Sequence, residues 1–121
     1  MSRAAQSVFV FGCYLLGLGA VLLTVPNALL AAFMLPITDE VWIRVVGMLV
    51  LLLGIYYTLA ARAEYTAFFR WTIYIRCSVI VFFTTFVVLG FAPAPLILFG
   101  VVDVLGAAWT AVALRRADPR A

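Results

Sequence analysis

The residue best placed to do chemistry is an acid inside a long apolar stretch. Asp103 lies within residues 95–114, among leucine, isoleucine, valine, phenylalanine and glycine. A carboxylate at the centre of a membrane helix costs roughly 2.5–3.5 kcal/mol on insertion scales. We therefore expect Asp103 to face protein, to carry a proton or to pair with an arginine.

Two arginines also lie within apolar stretches, at Arg44 and Arg76. With a rise of about 1.5 Å per helical residue, both long side chains can lean toward the depth of Asp103. Arg44 can instead extend outward to the headgroups. The sequence thus predicts a buried polar centre of Asp103, Arg76 and Arg44. This centre is either a site that binds an anion or polar headgroup or passes a proton, or a structural Arg–Asp pair that fixes helix register.

The composition excludes most other chemistry. The chain has no histidine, and its two cysteines, Cys13 and Cys77, form no CxxC motif. The usual haem ligand, imidazole metal site and general base are therefore missing. We expect no metal and no cofactor, and we expect both cysteines to be buried as small apolar residues. An enzyme would have to work through Asp103 and arginine alone, so none is predicted.

The elements that must position these charges are membrane helices. Of the 121 residues, 68% are hydrophobic and 11% are charged, which is far from the composition of a soluble domain. A span needs about 20 apolar residues, and four such stretches fit the chain. The sequence predicts an all-α fold in a single domain of residues 1–121, an integral membrane four-helix transmembrane bundle. Its helices are expected at residues 7–25, 41–61, 71–90 and 95–114, with a short interfacial helix at residues 27–35.

Small residues predict where the helices pack. Membrane helices approach closely where glycine, alanine, serine or threonine share a face. On the first helix the spacing places Gln6, Cys13, Gly17, Ala20 and Thr24 on one stripe. The predicted helix-packing glycines are Gly17, Gly47, Gly54, Gly100 and Gly106.

The charged residues predict the orientation. Asp39 and Glu40 fall between the first two spans, whereas the arginines cluster at the opposite helix ends, at Arg3, Arg62, Arg70, Arg115, Arg116 and Arg120. The positive-inside rule then puts both termini in the cytoplasm. The net charge of +3 is spread over helix ends, so we expect no nucleic-acid partner. The expected partners are the lipid bilayer and either further copies of the chain or a larger membrane complex.

Three segments resemble a known group of proteins. These segments are VPNALL at residues 25–30, DEVWIRVVG at residues 39–47 and GVVDVLG at residues 100–106. Together they resemble the small four-helix bacterial membrane proteins of the BphX-like type, which are similar to DoxX-like proteins. The resemblance implies a bacterial inner-membrane protein without an established set of catalytic residues, encoded in some cases near aromatic-degradation genes. It carries over no site residue.

Two functions follow as expectations. The first is a non-catalytic membrane protein, either an accessory subunit or a binder of lipid or hydrophobic small molecules, with the Arg–Asp polar centre. The alternative is a small oligomeric transporter or channel that uses Asp103 as its coupling carboxylate. Asp103→Asn separates them, since it should abolish transport in the second case while leaving the fold intact.

Overall fold

The structure is a computed structural model that describes residues 1–117. Over this range every regular element is a helix. The helices are α1 (Arg3–Thr24), α2 (Pro26–Ala32), α3 (Trp42–Arg62), α4 (Thr66–Val88) and α5 (Ile97–Ala117), with a 3₁₀ turn at Ala94–Leu96 leading into α5. Arg120, one of the charges used to predict the orientation, lies outside the described residues.

Four of these helices are long and apolar enough to cross a membrane, namely α1, α3, α4 and α5 together with its 3₁₀ turn. This confirms the predicted all-helical class with four long apolar helices. Two helices begin earlier than predicted. α1 starts at Arg3 because the Ser2 hydroxyl accepts a hydrogen bond from the Ala5 backbone N–H at 3.0 Å and caps the helix. α4 starts at Thr66, whereas the sequence predicts a start at residue 71, because residues 66–70 already belong to the helix.

α1 is the central helix of the fold. Its largest contact is with α3, and it also packs against α5, while α4 packs mainly against α5. α3 and α4, although consecutive in the chain, have little backbone contact. They meet through side chains at the arginine-bearing end, where the ring centres of Tyr57 and Phe68 lie 5.3 Å apart. The tightly packed core lies in the half of the bundle where α1 begins, and it consists of Ala4, Ala5, Val8, Phe11, Leu15, Tyr57, Ala61, Phe69 and Ala113. The other half is packed less densely around a cavity that is described below.

Glycines bring the backbones of α1 and α3 together. A β-carbon added to Gly19 would lie 2.5 Å from the Leu51 backbone nitrogen, and one added to Gly47 would lie 2.6 Å from the Leu23 nitrogen. Further along α3, a β-carbon added to Gly54 would lie 2.9 Å from the Leu16 backbone nitrogen. No side chain fits between the helices at these points. The two helices therefore run antiparallel with their backbones in direct contact, the close approach that small residues allow in membranes.

Gly17 is not part of this contact, contrary to the sequence-based prediction. A β-carbon there would meet no atom within 4 Å. Every residue of the predicted stripe of α1, from Gln6 to Thr24, is exposed, including Cys13, and Cys77 of α4 is exposed as well. The error has a physical reason. Small residues occupy two faces of α1, and only the position of the glycines in α3 decides which face becomes the contact.

The start of α1 is tied to the loop after α3. The Ser2 backbone N–H donates to Glu64 Oε1 at 2.6 Å, and the Ser2 hydroxyl donates to Oε2 at 2.7 Å. These two hydrogen bonds favour the carboxylate and hold the pKa of Glu64 below its ordinary value of 4.5. Both residues lie outside the long apolar helices, at the end of the bundle that carries the arginines.

The glycine contact predicts opposite effects for two similar substitutions. Gly19→Ala should lower the free energy of unfolding by about 1–3 kcal/mol, because its methyl group would overlap the α3 backbone. Gly17→Ala is the matched control and should be neutral or stabilise by up to about 1 kcal/mol, because it faces open space in the same helix. Reversible unfolding in mixed micelles measures both. Equal effects of the two changes would contradict the contact.

The Ser2–Glu64 link predicts a defined pH dependence. Because the pKa of Glu64 is lowered in the folded protein, the link contributes stability above the ordinary glutamate pKa and loses it as the pH falls through the lowered value. An NMR titration of the Glu64 carboxyl group measures this pKa. Ser2→Ala should raise it part of the way, since the backbone donor stays. An ordinary glutamate pKa in the unaltered protein would refute the link.

Candidate functional site

Arg76 is the most deeply buried charge of the described chain, with 2% of its surface exposed. It lies on the inward face of α4 together with Phe69 and Thr72. Its Nε donates to the Thr72 carbonyl oxygen at 3.2 Å, and its Nη2 donates to Thr72 Oγ1 at 3.0 Å and to Thr110 Oγ1 at 2.9 Å. The spacing of Thr72 and Arg76 by four residues puts both on the same face of the helix and makes the first two contacts local.

Thr110 connects three helices through one hydroxyl group. Its Oγ1 receives the Arg76 hydrogen bond from α4, lies 2.7 Å from Ser7 Oγ of α1 and lies 3.2 Å from the Gly106 carbonyl oxygen within α5. Ser7, Thr72 and Thr110 are all buried. These hydroxyl groups give the guanidinium polar partners where water is excluded, so the network fixes α1, α4 and α5 relative to one another.

Two aromatic rings enclose the guanidinium group. The Arg76 Cζ atom lies 4.8 Å from the centre of the Phe11 ring and 5.7 Å from the centre of the Tyr57 ring. A cation over an aromatic face is stabilised by about 2 kcal/mol or more when both are desolvated. The Nη1 atom is buried without a hydrogen-bond partner. The rings and the threonine oxygens therefore replace the water that the charge has lost, although incompletely at Nη1.

Asp103 lies close to Arg76 but does not share its hydrogen bonds. The opposite charges of the two side chains attract each other, yet the Arg76 donors named above reach threonine oxygens and not the carboxylate. Asp103 is half-buried. The structure thus brings two members of the predicted polar centre into one region, without the direct pair that the sequence suggested.

Arg44 occupies a different place. It is exposed, and its Nη1 donates to the carbonyl oxygens of Leu23 at 2.6 Å and Thr24 at 3.1 Å. These are the last carbonyls of α1, where a cation satisfies free acceptors and interacts favourably with the helix dipole. Arg44 therefore caps α1, and the structure does not bring it into the group formed by Arg76 and Asp103.

The remaining predicted glycines lie at helix contacts near these charges. A β-carbon on Gly100 would lie 2.9 Å from the Ile80 α-carbon, so α5 approaches α4 closely there. A β-carbon on Gly106 would lie 2.8 Å from the Phe11 ring and 3.2 Å from Arg76 Nη1. Gly106 thereby leaves room for both the ring and the guanidinium group.

A cavity of about 330 Å³ lies on the other side of Asp103. All five helices and the 3₁₀ turn, or residues next to them, contribute to its wall. Asp103 is its one charged lining residue and Tyr14 its one other lining residue with a polar side chain; the rest are leucine, isoleucine, valine and phenylalanine. The fold therefore places a carboxylate and a phenol in an otherwise apolar chamber.

The two polar groups share one end of this cavity. Among the lining residues of α5, Asp103 is the one furthest along the helix toward the arginine-bearing end, and Tyr14 has the same position among those of α1. Toward the opposite end the wall is formed only by apolar residues, including Leu30, Leu35 and Leu96. The cavity is thus polar at its deep end and apolar along the rest of its length.

The cavity has an open side between α3 and α4. Val46 and Leu53 of α3 line it and are nevertheless 45% and 44% exposed. Across the gap the wall continues with Val79 and Phe83 of α4, and the backbones of the two helices have little contact. A molecule outside the bundle can therefore reach the cavity sideways, between these helices.

Sequence reasoning missed several residues of this site. It singled out Asp103 and Arg76, but it did not assign Ser7 or Tyr14 a role and did not identify Thr72 as a partner of Arg76. Thr72 carried a usable signal, since it lies one helical turn before an arginine within an apolar stretch. Tyr14 carried no such signal, because tyrosines in membrane helices are also enriched at the membrane interface, where they need no polar partner inside the bundle. Within residues 1–117 no group of three or more cysteine or acidic side chains could hold a metal ion.

Comparison with known proteins adds no relative. No family model matches the chain, and neither the curated proteins nor the solved structures include a match. The fold and site themselves define the class: a small all-helical protein with four helices long enough to cross a membrane, a central apolar cavity, and one carboxylate in its wall.

A substitution at Thr110 tests the hydrogen-bond network directly, because its hydroxyl group connects α1, α4 and α5. Thr110→Val keeps the shape of the side chain but leaves an arginine donor and the Ser7 hydroxyl with fewer partners. We expect the free energy of unfolding to fall by about 1–3 kcal/mol. Thr85→Val is the control, because the exposed Thr85 hydroxyl donates only to the Val81 carbonyl of its own helix at 2.7 Å. Unfolding in mixed micelles compares them, and an equal effect of both changes would contradict the network.

Proposed function

We propose that this protein is a non-catalytic integral membrane protein that binds a lipid or another hydrophobic small molecule in the cavity beside Asp103. The observation that carries the proposal is the cavity itself. Its volume of about 330 Å³ falls within the roughly 300–1,000 Å³ of small-molecule sites, which are mostly apolar with a few polar groups that orient the ligand. This cavity has that composition.

The proposed location is a bacterial inner membrane, with both termini in the cytoplasm. The distribution of arginine supports the orientation, because the described arginines at helix ends, Arg3, Arg62, Arg70, Arg115 and Arg116, all lie at one end of the antiparallel bundle. The resemblance to BphX-like proteins supports the bacterial origin. In this placement the outer faces of α3 and α4, which carry exposed residues such as Leu49, Ile75 and Phe82, contact lipid or a further copy of the chain.

A reaction is not part of the proposal. The cavity offers a carboxylate and a phenol, and the nearby guanidinium group is held by threonine oxygens and aromatic rings. Such a set can orient a bound molecule, but it lacks a nucleophile paired with a base. The arrangement therefore supports binding.

A transporter is the second candidate, and the position of Asp103 is the observation that favours it. A single ionisable group in a membrane cavity is typical of a proton-coupled carrier. In that case Asp103→Asn should abolish uptake by proteoliposomes while ligand binding persists. An accessory subunit would instead be recognised by a second protein that accompanies this chain at fixed stoichiometry.

The binding proposal predicts a bound molecule that depends on the cavity. Protein extracted gently from its own membranes should carry a defined small mass in native mass spectrometry. Leu53→Trp should remove that mass, because Leu53 lines the cavity and an indole there would fill its open side. Leu52→Trp is the matched control, since Leu52 is equally exposed, at 44%, but does not line the cavity. A mass that survives Leu53→Trp, or an unaltered protein that carries none, would contradict the proposal.

A further inference from the structure

The shape and charge of the cavity restrict the chemistry of its ligand. We infer that the ligand is an uncharged amphiphile, with an apolar body and one hydroxyl group, and that it enters from the bilayer between α3 and α4 and places this hydroxyl against Asp103. This inference rests on the proposed function, and it names the class of molecule that the cavity takes.

The head group follows from hydrogen bonding. A carboxylate accepts hydrogen bonds and donates none, so the group that faces Asp103 must be a donor. Tyr14, the other polar lining residue, can both donate and accept. A hydroxyl group suits both neighbours, because it donates to the carboxylate and can accept from the phenol. An ether or an ester in the same place would leave Asp103 without a partner.

The absence of charge on the head group follows from Arg76. The charges of Asp103 and Arg76 already attract and offset each other. A cationic head group would be desolvated near a buried guanidinium of the same sign, and an anionic one would be desolvated near the carboxylate. Both are costly in a low-dielectric site. A neutral donor adds a hydrogen bond without disturbing this balance.

The position of the body follows from the wall of the cavity. Asp103 and Tyr14 lie together at the deep end, and only apolar side chains follow toward Leu35 and Leu96. The head group must therefore point toward the centre of the bundle, with the body extending toward the opposite end. This is the reverse of an ordinary membrane lipid, whose head group lies at the surface. The open side at Val46 and Leu53 allows such a molecule to enter without first leaving the apolar phase.

Four probes of equal chain length test the inference: decanol, decyl methyl ether, decanoate and decyltrimethylammonium. Each is added at the same mole fraction to nanodiscs that contain the protein, and its bound fraction is measured by native mass spectrometry. Decanol should bind at least about tenfold more tightly than the ether and both ions. In Asp103→Leu decanol and the ether should bind equally, and the persistence of ether binding shows that this variant is folded. Asp39→Leu removes an exposed acid and should leave the preference for decanol unchanged.

The outcomes separate this inference from the proposed function. Equal binding of decanol and the ether to the unaltered protein, with loss of both in Leu53→Trp, would overturn the hydroxyl assignment and leave the binding function standing. Tightest binding of either ion would overturn it in favour of a charged ligand. Failure of all four probes to bind would count against the inference and the proposed function together.

Discussion

The contact between the backbones of α1 and α3 is the constraint on which the rest of this structure depends. In a membrane, helices gain little from removing apolar surface from lipid, so their association relies on close packing and on hydrogen bonds. Gly19, Gly47 and Gly54 provide that packing, because a β-carbon at any of them would overlap the opposite helix. With one side of α1 fixed in this way, its neighbouring face, which carries Ser7 and Phe11, is directed toward α4 and α5.

That orientation creates the environment of Arg76. Phe11 reaches the guanidinium from α1, and Tyr57 reaches it from α3. Thr72 and Thr110 supply oxygen acceptors from α4 and α5. A buried arginine that found no such partners would draw the nearest carboxylate into a direct ion pair. Here the threonines and rings hold it, and Asp103 lies in the wall of the cavity instead. The same packing of helices therefore both buries the charge of Arg76 and leaves the Asp103 carboxylate free to face the cavity.

The sequence predicted the coarse features because they depend on composition, and it failed where the features depend on contacts between helices. Hydrophobic length identified four helices, and glycine spacing identified Gly47 and Gly54 in α3. The sequence does not show which face of α1 meets these two glycines, because Gly17 and Gly19 are equally small and the partner helix decides between them. Arg44 was grouped with Asp103 by depth alone, whereas its hydrogen bonds to Leu23 and Thr24 depend on the turn that follows α1. The cavity itself has no sequence signature, because it results from a gap between α3 and α4.

The most direct test of this account is a crystal structure of the protein grown in a lipid mesophase after gentle extraction from its own membranes. The account predicts elongated electron density between α3 and α4 that ends in a polar atom within hydrogen-bonding distance of the Asp103 carboxylate. A structure in which α3 and α4 close upon each other, with Asp103 bonded directly to Arg76 and no space left beside it, would contradict the central claim.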